Sequence, residues 1–278
     1  MNLRTIFLCS ILPIFNIGLY GSTHMIMSYQ EYAKIRHDIP YVYKFINQNQ
    51  TLFYFGANHC CDPENKQYPF LQQEFSDFLE ITKGNNCIVL VEGSLRGIAQ
   101  TKHEAITQQG GEGGLITLLA HQANIPCMCP EPEDEYLHTE LLKTFSHDEI
   151  LYRYFAQICL QFNRYKQAAN SDVTFERFHN GYRNKFHFAD LDRMKKIHAN
   201  LFHTEFNPDD KQFFYDITNP VDGATVINLI CRVGSILRDQ YIVDNISKLL
   251  EQGKNIFIVY GATHAVMQEN AIQALLKL

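Results

Sequence analysis

Two stretches far apart in the chain have one form. Leu52-Phe-Tyr-Phe-Gly-Ala-Asn-His59 and Ile256-Phe-Ile-Val-Tyr-Gly-Ala-Thr-His264 each run through apolar residues to Gly-Ala, one polar residue and a histidine. The runs are apolar at successive positions, so both faces must be covered, as in a strand of a parallel sheet. Each unit therefore reads as a buried strand that delivers an imidazole at its end. A single G-x-x-H carries little information; a matched pair constrains the fold, because both histidines then lie at strand ends of one sheet.

Other segments fit the same sheet. Ser28 caps a short helix, Tyr29 to Arg36, and Tyr41 to Ile46 alternates like an edge strand. Thr51 to Phe55 is the first core strand. A helix marked by Phe70, Phe75, Phe78 and Leu79 closes at Gly84. Cys87 to Val91 is a second core strand and ends in Glu92-Gly93. Gly110-Gly111-Glu112-Gly113-Gly114 opens a helix from Leu115 to Ala123, and Ile125 to Cys129 is a third strand ending in Pro130-Glu131-Pro132. Alternating strands and helices imply parallel crossover units. Residues 134–202 read as an inserted helical layer. A long helix, Ala224 to Gln252, carries Arg238-Asp239, and a helix from Ala265 to Leu278 follows the last strand. The fold class is α/β: a largely parallel central sheet flanked by helices, with two related halves and a helical insertion.

Composition sets limits. The 278 residues are 46% hydrophobic and 19% charged, with net charge −6, as expected of an ordered globular domain. No run of five basic residues occurs, so nucleic acid is not an expected partner. Residues 1–22 begin Met-Asn-Leu-Arg, continue apolar and end in Tyr20-Gly21-Ser22. This reads as a secretory leader preceding a single domain, 23–278. Beyond it no apolar segment is long enough to span a membrane. With the leader cleaved the protein is periplasmic or secreted; with it retained as a buried element, cytoplasmic. Seven of the eight cysteines lie beyond the leader, an odd number. Most sit in apolar runs and suggest no disulfide framework.

The apolar runs end in His59, Glu92, Glu131 and His264. In an open parallel sheet the C-terminal strand ends form the rim where ligands bind. Glu112, at a glycine-rich helix start that permits close backbone approach, is a further candidate. Arg238 stands in an otherwise apolar helix, placed to set a fixed positive charge beside Glu92 or Glu131. His and Glu side chains suit a divalent metal such as Zn, Mn or Co, which activates water and polarises a carbonyl. The same groups without a metal suit general-base hydrolysis. Histidines 103, 121, 138, 147 and 198 lack supporting context.

Gly56-Ala-Asn-His59, Val91-Glu92-Gly93, Arg238-Asp239 and Gly261-Ala-Thr-His264 together resemble the TraB/TIKI superfamily, which also includes erythromycin-esterase-like and ChaN-like haem-binding proteins. The resemblance spans residues 51–278 and leaves the helical middle uncovered. It implies an α/β core with both histidines in one cleft. It also implies a hydrolase of peptidase or esterase type that uses a divalent metal, with His59, Glu92 and His264 as the metal-binding core and Arg238 as electrostatic support. The alternative it implies is a non-catalytic protein that ligates haem between the histidines; Phe53, Tyr54 and Phe55 would suit a porphyrin and are equally good core residues.

Overall fold

The computed structural model describes residues 26–47, 49–169, 173–183 and 190–276; the leader lies outside them. A short helix α1 (Tyr29–Tyr32) precedes strand β1 (Tyr41–Ile46). Strand β2 (Thr51–Ala57), helix α2 (Gln67–Thr82) and strand β3 (Cys87–Val91) follow. Helices α3 (Lys102–Gln108) and α4 (Glu112–Gln122) lead to β4 (Cys127–Met128). The helical layer comprises α5 (Asp134–Leu142), α6 (His147–Ala169), α7 (Phe175–Arg183), α8 (Leu191–Phe202) and α9 (Lys211–Thr218). The long helix α10 (Val226–Glu251), strand β5 (Asn255–Gly261) and α11 (Ala262–Leu275) complete the chain.

The sheet order is β1-β2-β5-β3-β4, and every pairing is parallel except that of β1 with β2. The two Gly-Ala-x-His strands are thus direct neighbours, with Gly56 opposite Tyr260 and Ala57 opposite Gly261. Side chains alternate across the sheet as a two-residue period requires. Phe53, Phe55, Val89, Val91, Phe257 and Val259 face α2 and α4. Leu52, Tyr54, Leu90, Ile258 and Tyr260 face α10 and α11.

Helix α10 spans about 39 Å. Its first half, with Ile227, Ile230, Cys231 and Leu237, packs in the helical layer's own core. Its second half, with Ile242, Val243, Ile246 and Leu250, covers the sheet. Arg238-Asp239 sits at the crossing between the two cores.

Several elements differ from the sequence expectation. The third strand is reduced to Cys127–Met128, because Pro126 and Pro130 bracket it and cannot donate to a ladder. Helix α1 ends at Tyr32, where the capping box of Ser28 and Glu31 has no apolar stripe to propagate it. Helix α3 was not anticipated, although Thr101-Lys-His-Glu104 carries its cap: Glu104 N donates to Thr101 Oγ1 and Gln100 N donates to Glu104. Helix α11 starts three residues earlier than expected. Gly261 is both the last residue of β5 and the helix N-cap, so His264 stands on the first helical turn, not on a strand end.

Gly56 explains why the layers fit. A Cβ there would lie 2.7 Å from Ala265 Cβ, 2.8 Å from Tyr41 O and 3.0 Å from Ala262 Cα. Gly56→Ala is expected to destabilise the protein by about 1–3 kcal/mol in urea unfolding, through overpacking between β2 and α11. Gly181→Ala, in helix α7 with open space around it, is expected to be neutral or stabilising by up to about 1 kcal/mol.

Candidate functional site

All six residues singled out in the sequence meet at the C-terminal rim of the parallel strands. His59 lies two residues beyond β2, Glu92 directly follows β3, and Glu131 follows β4 between two prolines that restrict its backbone. Glu112 is the first residue of α4, Arg238 projects from the middle of α10, and His264 from the first turn of α11.

Arg238 connects them. Its Nε donates to Glu131 Oε2 at 2.9 Å and its Nη2 to Glu131 Oε1 at 2.6 Å, a two-point grip on one carboxylate. The same Nη2 donates to Glu92 Oε1 at 3.0 Å, and Nη1 to His264 Nε2 at 3.2 Å. Glu131 Oε1 also accepts from Gly93 N, and Glu92 Oε2 from Gly261 N at 2.7 Å.

Each imidazole is held from behind by a buried carboxylate. His59 Nδ1 donates to Glu112 Oε1 at 2.5 Å, and His264 Nδ1 to Asp239 Oδ1 at 2.6 Å. The Nε2 atoms then point to opposite oxygens of Glu92, at 3.5 Å from His59 and 3.6 Å from His264. The two differ in access: the His59 side chain is 60% exposed and that of His264 12%. Gly261 is required between them, since a Cβ there would lie 2.8 Å from His59 Nε2. The glycine of the second unit thus makes room for the histidine of the first.

Asp239 and Gln268 were not selected from the sequence. Asp239 is adjacent to Arg238, and the two side chains take different partners. Asp239 is fully buried and accepts from Gln268 Nε2 as well as from His264, while Gln268 Oε1 accepts from Tyr54 OH. The i,i+4 spacing of His264 and Gln268 is the signal that could have found this pair.

The electrostatics follow from the contacts. The hydrogen bond to Glu112 raises the His59 pKa above 6.5; burial opposes this and Glu92 adds to it. Burial alone would lower the pKa of His264, but Asp239 outweighs it and the net direction is upward. Burial alone would raise that of Glu92, but His264, Arg238, His59 and the Gly261 amide take it from 4.5 down to about 2. Burial alone would lower that of Arg238, yet Glu131 and Glu92 raise it, so it is a fixed cation. Burial, then the charge of Glu112, pushes the Cys61 thiol up and away from thiolate.

Groups left aside in the sequence lie elsewhere. His198 is buried in the helical layer between Tyr152 OH and Thr204 Oγ1, and the rings of His138 and His147 pack together. The seven cysteines of the described residues are free thiols.

A metal and a haem can be tested against this geometry. Arg238 occupies the face of Glu92 Oε1 and His264 Nε2 that a metal would need, leaving only His59 Nε2 and Glu92 Oε2. Among the described residues no group of three His, Cys, Asp or Glu side chains is arranged to hold a metal ion. The donors in this arrangement do not make a metal set. A macrocycle between the imidazoles would have to displace Glu92 and Arg238, and Phe53, Tyr54 and Phe55 are at most 1% exposed in the sheet core. They cannot line a porphyrin cleft.

Comparison with protein-family models, with curated proteins and with solved structures finds no match to this chain.

Two measurements check the site. The depressed Glu92 pKa contributes stability that is complete above pH 4.5 and is lost as pH falls toward about 2. Urea unfolding should therefore show wild type weakening across that window. Glu92→Gln should be less stable than wild type at pH 7, with the gap closing in acid. Elemental analysis of untagged protein should find less than one metal per chain; a stoichiometric metal that disappears in the His59→Ala/His264→Ala double variant would contradict the donor geometry.

Proposed function

We propose that the chain is a hydrolase of the peptidase or esterase type, with His59 as general base. The observation that carries this reading is the pairing of an exposed imidazole with the buried carboxylate of Glu112. Glu112 holds the proton on Nδ1 and leaves Nε2, which faces Glu92 Oε2 at 3.5 Å, as the basic atom of a side chain that is 60% exposed.

The chemistry can be followed atom by atom. Water attacks the acyl carbon while His59 Nε2 removes its proton. The imidazolium that forms lies between Glu112 and Glu92, both of which favour it. Collapse of the tetrahedral intermediate breaks the carbon–oxygen or carbon–nitrogen bond, and the leaving group recovers the proton from Nε2. Arg238 offsets part of the charge of Glu92 and Glu131, so that the two carboxylates stay together, with Glu92 beside His59. His264, held by Asp239 and Arg238, supports that arrangement from beneath.

The test uses a chromogenic neutral ester and an internally quenched peptide. Activity should rise with pH through a pKa above 6.5, because the base must be neutral and Glu112 favours its protonated form. Glu112→Gln should move that limb to lower pH and reduce the plateau. His59→Gln should lower kcat by about 10²–10⁴-fold with its fold intact. Arg238→Lys, which keeps the charge but loses the two-point grip, should cost about 100-fold. Absence of hydrolysis with both substrates, or a His59→Gln variant as active as wild type, would reject the reading.

A further inference from the structure

Arg238 leaves little for a substrate. A guanidinium has five N–H groups, and those of Arg238 on Nε and Nη2, with one on Nη1, are already committed. A second guanidinium, Arg96, stands at the same rim and is not committed. Its one hydrogen bond is from Nη2 to the backbone oxygen of Glu92, at 3.4 Å. Its Nε is buried with no partner, and among the described residues it forms no ion pair. A half-buried cation without a counter-charge is costly, and an unpaired buried donor calls for an acceptor from outside the chain.

The surroundings are shaped to hold this side chain. Cβ atoms placed on Gly93, Gly110 and Gly113 would all meet the Arg96 guanidinium, at 3.6, 3.2 and 3.5 Å. Gly93 and Gly110 also have φ of +83° and +85°, which side-chain-bearing residues rarely adopt. Gly93 follows Glu92, and Gly110 and Gly113 flank Glu112. The cradle is therefore continuous with the residues around His59. On the same loop, Leu95 and Ile98 are exposed.

We propose that Arg96 binds a carboxylate of the substrate, and that the substrate is an ester or amide whose acyl part carries that carboxylate on an apolar body. This rests on the hydrolase reading for the word substrate, but the binding itself does not. A carboxylate matches the guanidinium fork in shape. A dianionic phosphate would be repelled more strongly than a singly charged carboxylate, because Glu92, Glu112, Glu131 and Asp239 already outnumber the fixed cation Arg238. Leu95 and Ile98 supply the apolar surface.

Two experiments separate the claims. In the first, benzoate is titrated calorimetrically into the full chain at constant ionic strength, with inorganic phosphate as the competing probe. Wild type should bind benzoate in preference to phosphate. Arg96→Gln should bind it at least about tenfold more weakly, a loss of about 1.4 kcal/mol, and Arg96→Lys should fall between. Circular dichroism and melting temperature establish that both variants are folded. In the second, a nitrophenyl ester with a free carboxylate in its acyl part is compared with its methyl-capped neutral analogue. The ratio of kcat/KM should favour the carboxylate by about tenfold or more, and Arg96→Gln should bring it toward one, chiefly through KM. Benzoate binding that is absent in wild type, undiminished in folded Arg96→Gln, or weaker than phosphate binding overturns the inference. No hydrolysis of either ester rejects the function proposed above, and the titration alone then decides the role of Arg96.

Discussion

The guanidinium of Arg238 is the interaction on which the rim depends. It joins three segments that share no local sequence: the loop after β3 through Glu92, the proline-flanked loop after β4 through Glu131, and the start of α11 through His264. Two carboxylates brought together at a half-buried rim repel each other and lose hydration; a fixed cation between them reverses the balance. Its position on α10 matters as much as its charge. That helix leaves the helical layer and docks on the sheet at this point, so the geometry of the site is tied to the packing of both cores.

The same economy of space governs the paired glycines. Gly56 admits Ala262 and Ala265 of the second unit, and Gly261 admits His59 of the first. The repeated sequence therefore does not reflect one local structure used twice. After β2 the chain continues as a loop and the imidazole is exposed; after β5 it turns at once into α11 and the imidazole is nearly buried. One histidine is open to solvent and the other is set in the scaffold. The difference follows from what comes next in the chain and from which face of the sheet the following helix covers.

A good deal of this was legible in the residues. Apolar runs ending at Glu92, Glu131 and the two histidines located the rim, because a buried strand has to end where ionisable groups reach solvent. Arg238 was legible as a charge in an apolar helix. Asp239 was visible beside Arg238 but had no assigned role, because consecutive positions on a helix point about 100° apart and its partner, His264, lies on another helix. Arg96 was overlooked because a lone arginine in an irregular loop carries no pattern; only the three glycines packed around it mark it out. The short β4 and the early start of α11 were missed because proline blockage and a glycine shared by strand and helix act at single residues, below the scale of periodicity.

By itself the sequence determined the α/β class, the parallel core strands, the long α10, and six residues of the rim. These depend on local periodicity and on the cost of burying an ionisable group, both of which are written in neighbouring residues. Tertiary structure decided that β2 and β5 are adjacent, which histidine is exposed, that Glu112 and Asp239 each hold one imidazole, and that Arg238 stands where a metal would need Glu92 and His264. These are relations across the sheet between segments up to 205 residues apart. They arise from strand order, from which face each helix covers, and from clearances of a few tenths of an ångström at glycine, none of which leaves a trace in local sequence.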